Sequence, residues 1–200
     1  KIDQEIKAAI YDKGGLLSSI SNARLFDEFC KIFLNGIAEK NFNKLTTFGL
    51  NQYLIGATPN VNIFTNNLII EALRNTDKRI LNNQSVTPGF LIAALLWPKL
   101  IEKSNQNGDI NLRKFFRSMD GILRQQQKLT AIPRKFHTYI KDIWVLQLKL
   151  HSRIGKQPYK TLKHPRFRAA YDFLLIREKA NGQDKDLGKW WTSFQKNDDK

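Results

Sequence analysis

Thr87-Pro88-Gly89-Phe90-Leu91-Ile92-Ala93-Ala94-Leu95-Leu96-Trp97-Pro98 is the stretch that decides the fold. Threonine followed by proline is a helix-start signal, because proline at the first helical position gives up no hydrogen bond and the hydroxyl can cap. From Phe90 to Trp97 every residue is apolar. A helix that is apolar all round is buried on all sides, so this one belongs at the centre of a core. It is far short of the roughly 20 residues a bilayer span needs. Pro98 should kink or end it.

Outward from this helix, the apolar residues keep helical spacing and show no strand alternation. Ser21 reads as the cap of a helix carrying Leu25, Phe26, Phe29, Phe33 and Leu34, with Gly36 as its stop. A short helix carries Phe42, Leu45 and Phe48. Asn60 opens another, with Ile63, Phe64, Leu68, Ile70 and Leu73 as the buried face. The polar run Lys103–Asp109 (KSNQNGD) reads as a linker. Helices follow over about Asn111–Lys128, Pro133–His151 and His164–Lys179, with Gly155 and Pro158 breaking the chain between the last two. A final helix after Asn181-Gly182 carries Leu187, Trp190, Trp191 and Phe194. The expected fold class is all-α.

The chain has 200 residues and a net charge of +15, distributed unevenly. Residues 1–100 hold 11 Lys/Arg against 8 Asp/Glu, and residues 101–200 hold 22 against 10. Between Arg134 and Arg168 there are ten cations and one acid, Asp142. A soluble surface usually mixes both signs, and a one-sided window costs self-repulsion unless a polyanion relieves it. In the helix from Pro133, the residues Phe136, Ile140, Ile143, Gln147 and Leu150 form the buried side. Arg134, Lys141, Lys149 and Arg153 form a separate stripe that can follow a phosphate backbone. Lys156, Lys160 and Lys163 add charge on a turn. Arg166 and Arg168 stand at a helix start, where phosphate is favoured and cations are not. Tyr159, after Pro158, is the candidate for stacking on a base, whereas Trp144 and Tyr171 read as core. The plainer alternative is a solvated charged face. A membrane surface fits less well, since the aromatics occupy core spacing.

Signals for chemistry are weak. The histidines, His137, His151 and His164, lack the spacing of a helical metal pair and are expected to extend the basic face. The lone Cys30 excludes a disulfide within the chain and reads as a small core residue, which suits a cytoplasmic setting. Gly14-Gly15 lacks the lysine and hydroxyl of a phosphate loop. Asp184-Lys185-Asp186 has the form of a magnesium-holding pair but lies in a polar loop, so it reads as the start of the last helix. No catalytic or metal-binding residue is expected. A chain that begins at Lys1, with Met119 as its one methionine, is expected to be part of a longer protein.

The last third carries more specific runs. Asp142-Ile143-Trp144-Val145-Leu146-Gln147-Leu148 is followed by Gly155-Lys156, then by Leu162-Lys163-His164-Pro165-Arg166-Phe167-Arg168-Ala169-Ala170-Tyr171-Asp172, then by Lys189-Trp190-Trp191 and Phe194-Gln195. Together these resemble the C-terminal region of the bacterial poly(A) polymerase family, within the β-type nucleotidyltransferases. Ala23-Arg24-Leu25-Phe26-Asp27-Glu28, Asn75-Thr76-Asp77-Lys78-Arg79-Ile80, Thr87–Leu91 and Ala131-Ile132-Pro133-Arg134 fit the same family in order. The resemblance implies an irregular helical array: the end of a neck over residues 1–52, a body over 53–128 and basic RNA-binding helices over 129–200. It implies RNA 3′ ends as partner, with RNA helicase or decay proteins as further partners. The family's AMP transfer from ATP, with magnesium, would belong to a head preceding Lys1, and no cofactor is expected on this chain. The many lysines among the cations imply little sequence discrimination. A tRNA CCA-adding enzyme is the alternative, against which the Lys189-Trp190-Trp191 and His164–Phe167 runs argue. A non-catalytic scaffold docking partners through the less charged half is another.

Overall fold

The computed structural model describes residues 3–56, 63–182 and 185–198. Among them are eleven α-helices: α1 (Gln4–Lys13), α2 (Asn22–Phe33), α3 (Ala38–Thr47), α4 (Asn51–Leu54), α5 (Ile63–Leu81), α6 (Pro88–Ser104), α7 (Leu112–Gln127), α8 (Arg134–Lys149), α9 (Gln157–Leu162), α10 (Phe167–Asn181) and α11 (Lys185–Asp198). The all-α expectation holds.

Helix α6 is the hub. Thr87 Oγ1 accepts from the Phe90 N–H at 3.3 Å, and Gly89 through Trp97 are all buried. The helices α5, α7 and α8 pack around it. Of the two outcomes expected at Pro98, a kink or an end, the end does not occur: the helix runs on to Ser104. Continuous packing on every side outweighs the one hydrogen bond a proline removes. Lys103–Asp109 is likewise no open linker. It is a tight hairpin, with Asn105–Gln106 paired antiparallel to Asp109–Ile110. Asn107 and Gly108 turn it at positive φ, the backbone an Asn-Gly pair adopts readily. This folds α7 back onto α6.

Two cores result. The larger gathers Leu25, Phe29 and Phe33 of α2, the buried sides of α5, α6 and α7, and Ile140, Ile143 and Trp144 of α8. The smaller gathers Leu146 of α8 and Leu150 just after it, Phe167, Tyr171 and Leu174 of α10, and Leu187 and Trp191 of α11. Helices α8 and α10 therefore form a wall with a core on each side. Two indoles fasten the wall: Trp144 Nε1 donates to the Ala93 carbonyl and Trp191 Nε1 to the Leu150 carbonyl, both at 2.9 Å. Buried Gln147 ties it internally. Its amide donates to the Ala170 carbonyl, and its Oε1 accepts from Arg177.

Several expectations shift by a residue or two. On α5 the buried residues are Leu68, Ile69, Ala72, Leu73 and Thr76, so Ile69 faces the core rather than Ile70. Asn60 and the side chains of Ile63 and Phe64 lie outside the described residues. Phe136 packs against the core only half-buried. Cys30 packs there as well, and burial followed by the nearby Asp27 carboxylate pushes its thiol pKa up, away from reactivity.

Four charged side chains of α3, α5 and α10 pair with one another. Arg74 binds Glu39 in a fork at 2.8 and 2.9 Å and also reaches Glu71 at 3.2 Å, while Lys179 meets Glu71 at 2.6 Å. Burial alone would raise the Glu71 pKa, but Lys179 and Arg74 outweigh it and hold the carboxyl below its ordinary value. A depressed carboxylate contributes stability that is complete above the unfolded value, about 4.3. That contribution is lost as pH falls through the folded value. Glu71→Gln is therefore expected to melt at a lower temperature at pH 7 and to lose less on acidification to pH 3. Thermal melts across that range check it, and parallel acid limbs would remove Glu71 from the account.

Candidate nucleic-acid interface

The predicted cations fall into groups that separate elements position. On α8, Arg134, Lys141 and Lys149 lie within about 80° of one another around the helix axis and span about 22 Å along it. Arg134 and Lys149 are exposed. Lys141 is not free: its Nζ meets Asp120 of α7 at 2.5 Å. Arg153 is not on the helix as expected, since α8 stops at Lys149 and Arg153 follows in a loop. Of the three lysines expected on a turn, Lys156 and Lys163 are turn residues that cap a short helix at either end, and Lys160 lies within that helix. Pro158 sits in the first turn of the short helix α9, and the spacing of four and three puts the three lysines on one side of it. All three are exposed, as is Arg153.

Arg166 caps α10 and Arg168 lies in its first turn. The Arg166 guanidinium lies 4.9 Å from the Tyr139 ring centre on α8, so it stands over an aromatic face. Arg168 meets Asp172 at 3.1 Å and lies 5.8 Å from the Tyr171 ring centre. Tyr159 is 48% exposed, and Phe194 meets its ring edgewise at 5.0 Å. One part of that ring is therefore braced and the rest faces solvent.

The histidines do not act as one basic face. His137 Nε2 lies 3.2 Å from both Gln127 Oε1 and the Ile132 carbonyl, tying α8 to the end of α7. His164 Nδ1 accepts from the Arg166 N–H at 3.1 Å and shapes the start of α10. His151 is exposed. Asp186 lies in the first turn of α11, while Asp184 lies outside the described residues. Among the described residues no three potential ligands gather to hold a metal, and no helix is long and apolar enough to cross a membrane.

Helix α7 adds cations that the sequence reading passed over. Arg113, Arg117, Arg124 and the cap residue Lys128 recur at four, seven and four residues, which puts them along one face, and all are exposed. The one acid of α7, Asp120, is spent on Lys141. That ion pair joins the cationic side of α7 to that of α8. The charge count of residues 113–128, five cations against one acid, was the available signal.

A contrast between the two halves emerges. In the first half Arg74 and Lys31 meet acids of that half and Arg79 meets Asp172, while Arg24 and six lysines have no carboxylate within 4 Å among the described residues; the halves differ in how many such cations they carry against how few acids. In the second half no carboxylate among the described residues lies within that distance of Arg113, Arg117, Arg124, Arg134, Lys149, Arg153, Lys156, Lys160 or Lys163.

Fold and charge together define a class: an all-helical, strongly basic region whose unneutralised cations gather in its second half. Comparison with known proteins narrows this. Residues 107–200 match the family described as the polymerase A arginine-rich C-terminus, and residues 1–62 match the probable RNA- and SrmB-binding site of polymerase A. Poly(A) polymerase I of Haemophilus influenzae is 34% identical over 204 residues, covering 97% of this chain and 45% of that protein. Poly(A) polymerase I of an Escherichia coli O6:H1 strain is 35% identical over 208 residues, covering 98% of this chain and 44% of that protein. The Salmonella typhi protein of the same name is 34% identical over 206 residues. This chain belongs to the bacterial poly(A) polymerase family and spans under half the length of these relatives.

Proposed function

We propose that these residues hold RNA for an enzyme that adds AMP from ATP to RNA 3′ ends. The observation that carries this reading is the charge of the second half: it holds 22 cations against 10 acids, and nine of its exposed cations have no carboxylate within 4 Å among the described residues. Such a surface gains by exchanging condensed counterions on a polyanion for its own side chains. The cations of α7, the exposed residues of α8 and the lysines of α9 would follow phosphates, and Tyr159 would stack on an unpaired base. With many lysines in the set, contact with phosphate is by point charge and discriminates little between sequences. Any ATP and magnesium used would be held by a part of the protein other than these residues. A protein with this role would work in the cytoplasm.

The test is fluorescence anisotropy with a single-stranded RNA over a range of salt. Each phosphate contacted should contribute about 0.7 to the slope of log affinity against log salt. Five or more contacts therefore predict a slope of about −3.5 or steeper. A slope near zero would sink the reading. Clear preference for tRNA over unstructured RNA would instead favour a CCA-adding role.

A second reading concerns the less charged half. Residues 1–62 match a description that names a protein, SrmB, beside RNA. We propose that this half docks an RNA helicase or decay partner, to be checked by pull-down with nuclease-treated lysate. Loss of every captured protein on nuclease treatment would overturn it.

A further inference from the structure

A cleft of about 250 Å³ opens where α5, α8 and α10 meet the loop before α6. It is open to solvent on one side, of a size to take part of a single nucleotide, and far too small for a duplex. Its walls bring together side chains from three distant parts of the sequence. Arg79 and Asn75 come from α5, Tyr139 from α8, and Arg166 and Arg168 from α10.

The chemistry of the walls is specific. Asp172 sits between two guanidiniums, 3.1 Å from Arg168 and 3.8 Å from Arg79. One carboxylate among three arginines leaves the cleft with a net charge of about +2. Arg79 is further held by the Ser85 carbonyl, which accepts from both Nε and Nη2 at 3.4 and 3.3 Å. Arg166 is laid against Tyr139. A guanidinium backed by a ring is a flat platform on which an unpaired base can stack. The carboxamide of Asn75, half-buried, has no hydrogen-bond partner among the described residues. An amide presents both a donor and an acceptor, the pair that reads a base edge.

We propose that this cleft binds one unstacked nucleotide of a single-stranded RNA, with its base on the Arg166 platform against Asn75 and its phosphate on Arg79 and Arg168. This deepens the RNA-holding reading and rests on it. The open cationic surfaces of α7, α8 and α9 would take any phosphate backbone. The cleft takes only a base that has left its stack, and so selects single strands over duplexes.

The experiment uses the whole 200-residue chain and a short RNA carrying 2-aminopurine, whose fluorescence falls when it stacks. Saturating wild-type protein is expected to quench the probe at one position of the oligonucleotide. Arg166→Lys keeps the charge but removes the planar platform, and should restore most of the fluorescence at saturation. Asn75→Ala should weaken single-strand binding three- to tenfold. Circular dichroism melts confirm that both variants fold. Unchanged quenching in Arg166→Lys together with affinity within twofold in Asn75→Ala overturns the cleft. If charge reversal on α7 or α9 still weakens binding in that case, the RNA-holding reading survives alone. If the wild-type chain binds no RNA, both fall.

Discussion

Replacing Trp144 by alanine is expected to lower the unfolding free energy by about 3–5 kcal/mol. The indole is fully buried, and it wedges α8 against the apolar hub α6. Two losses combine. The first is a large apolar side chain whose cavity the packed helices cannot close. The second is the 2.9 Å bond from Nε1 to the Ala93 carbonyl, on a stretch of α6 that water cannot reach. Against a total stability of roughly 5–15 kcal/mol for a domain, this leaves a chain close to unfolding at physiological temperature. Trp144→Phe keeps most of the apolar volume and loses the donor, so it should cost about 1–3 kcal/mol. Urea melts of both variants check the split. A cost below about 1 kcal/mol for Trp144→Ala would mean that the α6–α8 contact does not hold the hub in place.

How legible this wall was follows from where each residue sits. Thr87-Pro88 and the apolar run behind it announced α6, because capping chemistry and burial are both local properties of sequence. The cap at Ser21 was legible for the same reason. Helices α8 and α10 were harder to divide into faces. Each has a core on two sides, so apolar residues ring more of the helix than one stripe allows. Helix α1 buries none of its described residues and offered no apolar face to read. The cap of α3 was invisible: Asp77, on α5, accepts from the Ala38 and Glu39 N–H groups at 2.6 and 3.1 Å. Nothing near Ala38 points to a carboxylate 39 residues away. The basic surface divides along the same line. Charge is additive and could be counted along the chain, so the second half stood out. Pairing is tertiary, so the loss of Lys141 to Asp120 could not be seen, nor could Asn75, Arg79 and Tyr139 meeting Arg166 in one cleft.

Reversing three cations at the far end of α8 and on α9, with Lys149→Glu, Arg153→Glu and Lys160→Glu together, is expected to weaken RNA binding about 100-fold at low salt. Each position is exposed and none has a carboxylate within 4 Å among the described residues, so folding should be unaffected. Each substitution removes one phosphate contact and places a like charge in its stead. The salt dependence provides the sharper test. Losing three contacts on a single strand should flatten the slope of log affinity against log salt by about 2. Mutant and wild-type affinities should therefore converge as salt rises, whereas a folding defect would separate them at every salt. The matching set on α7, Arg113→Glu, Arg117→Glu and Arg124→Glu, distinguishes two paths for the strand. If RNA runs from α9 along α8 and across the Asp120–Lys141 pair onto α7, both sets flatten the slope. If it enters only at α9 and turns into the cleft at Arg166, the α7 set leaves the slope as it was. An unchanged slope in both sets would mean that the phosphates lie on neither surface, and that the excess charge of the second half serves only to keep the chain in solution.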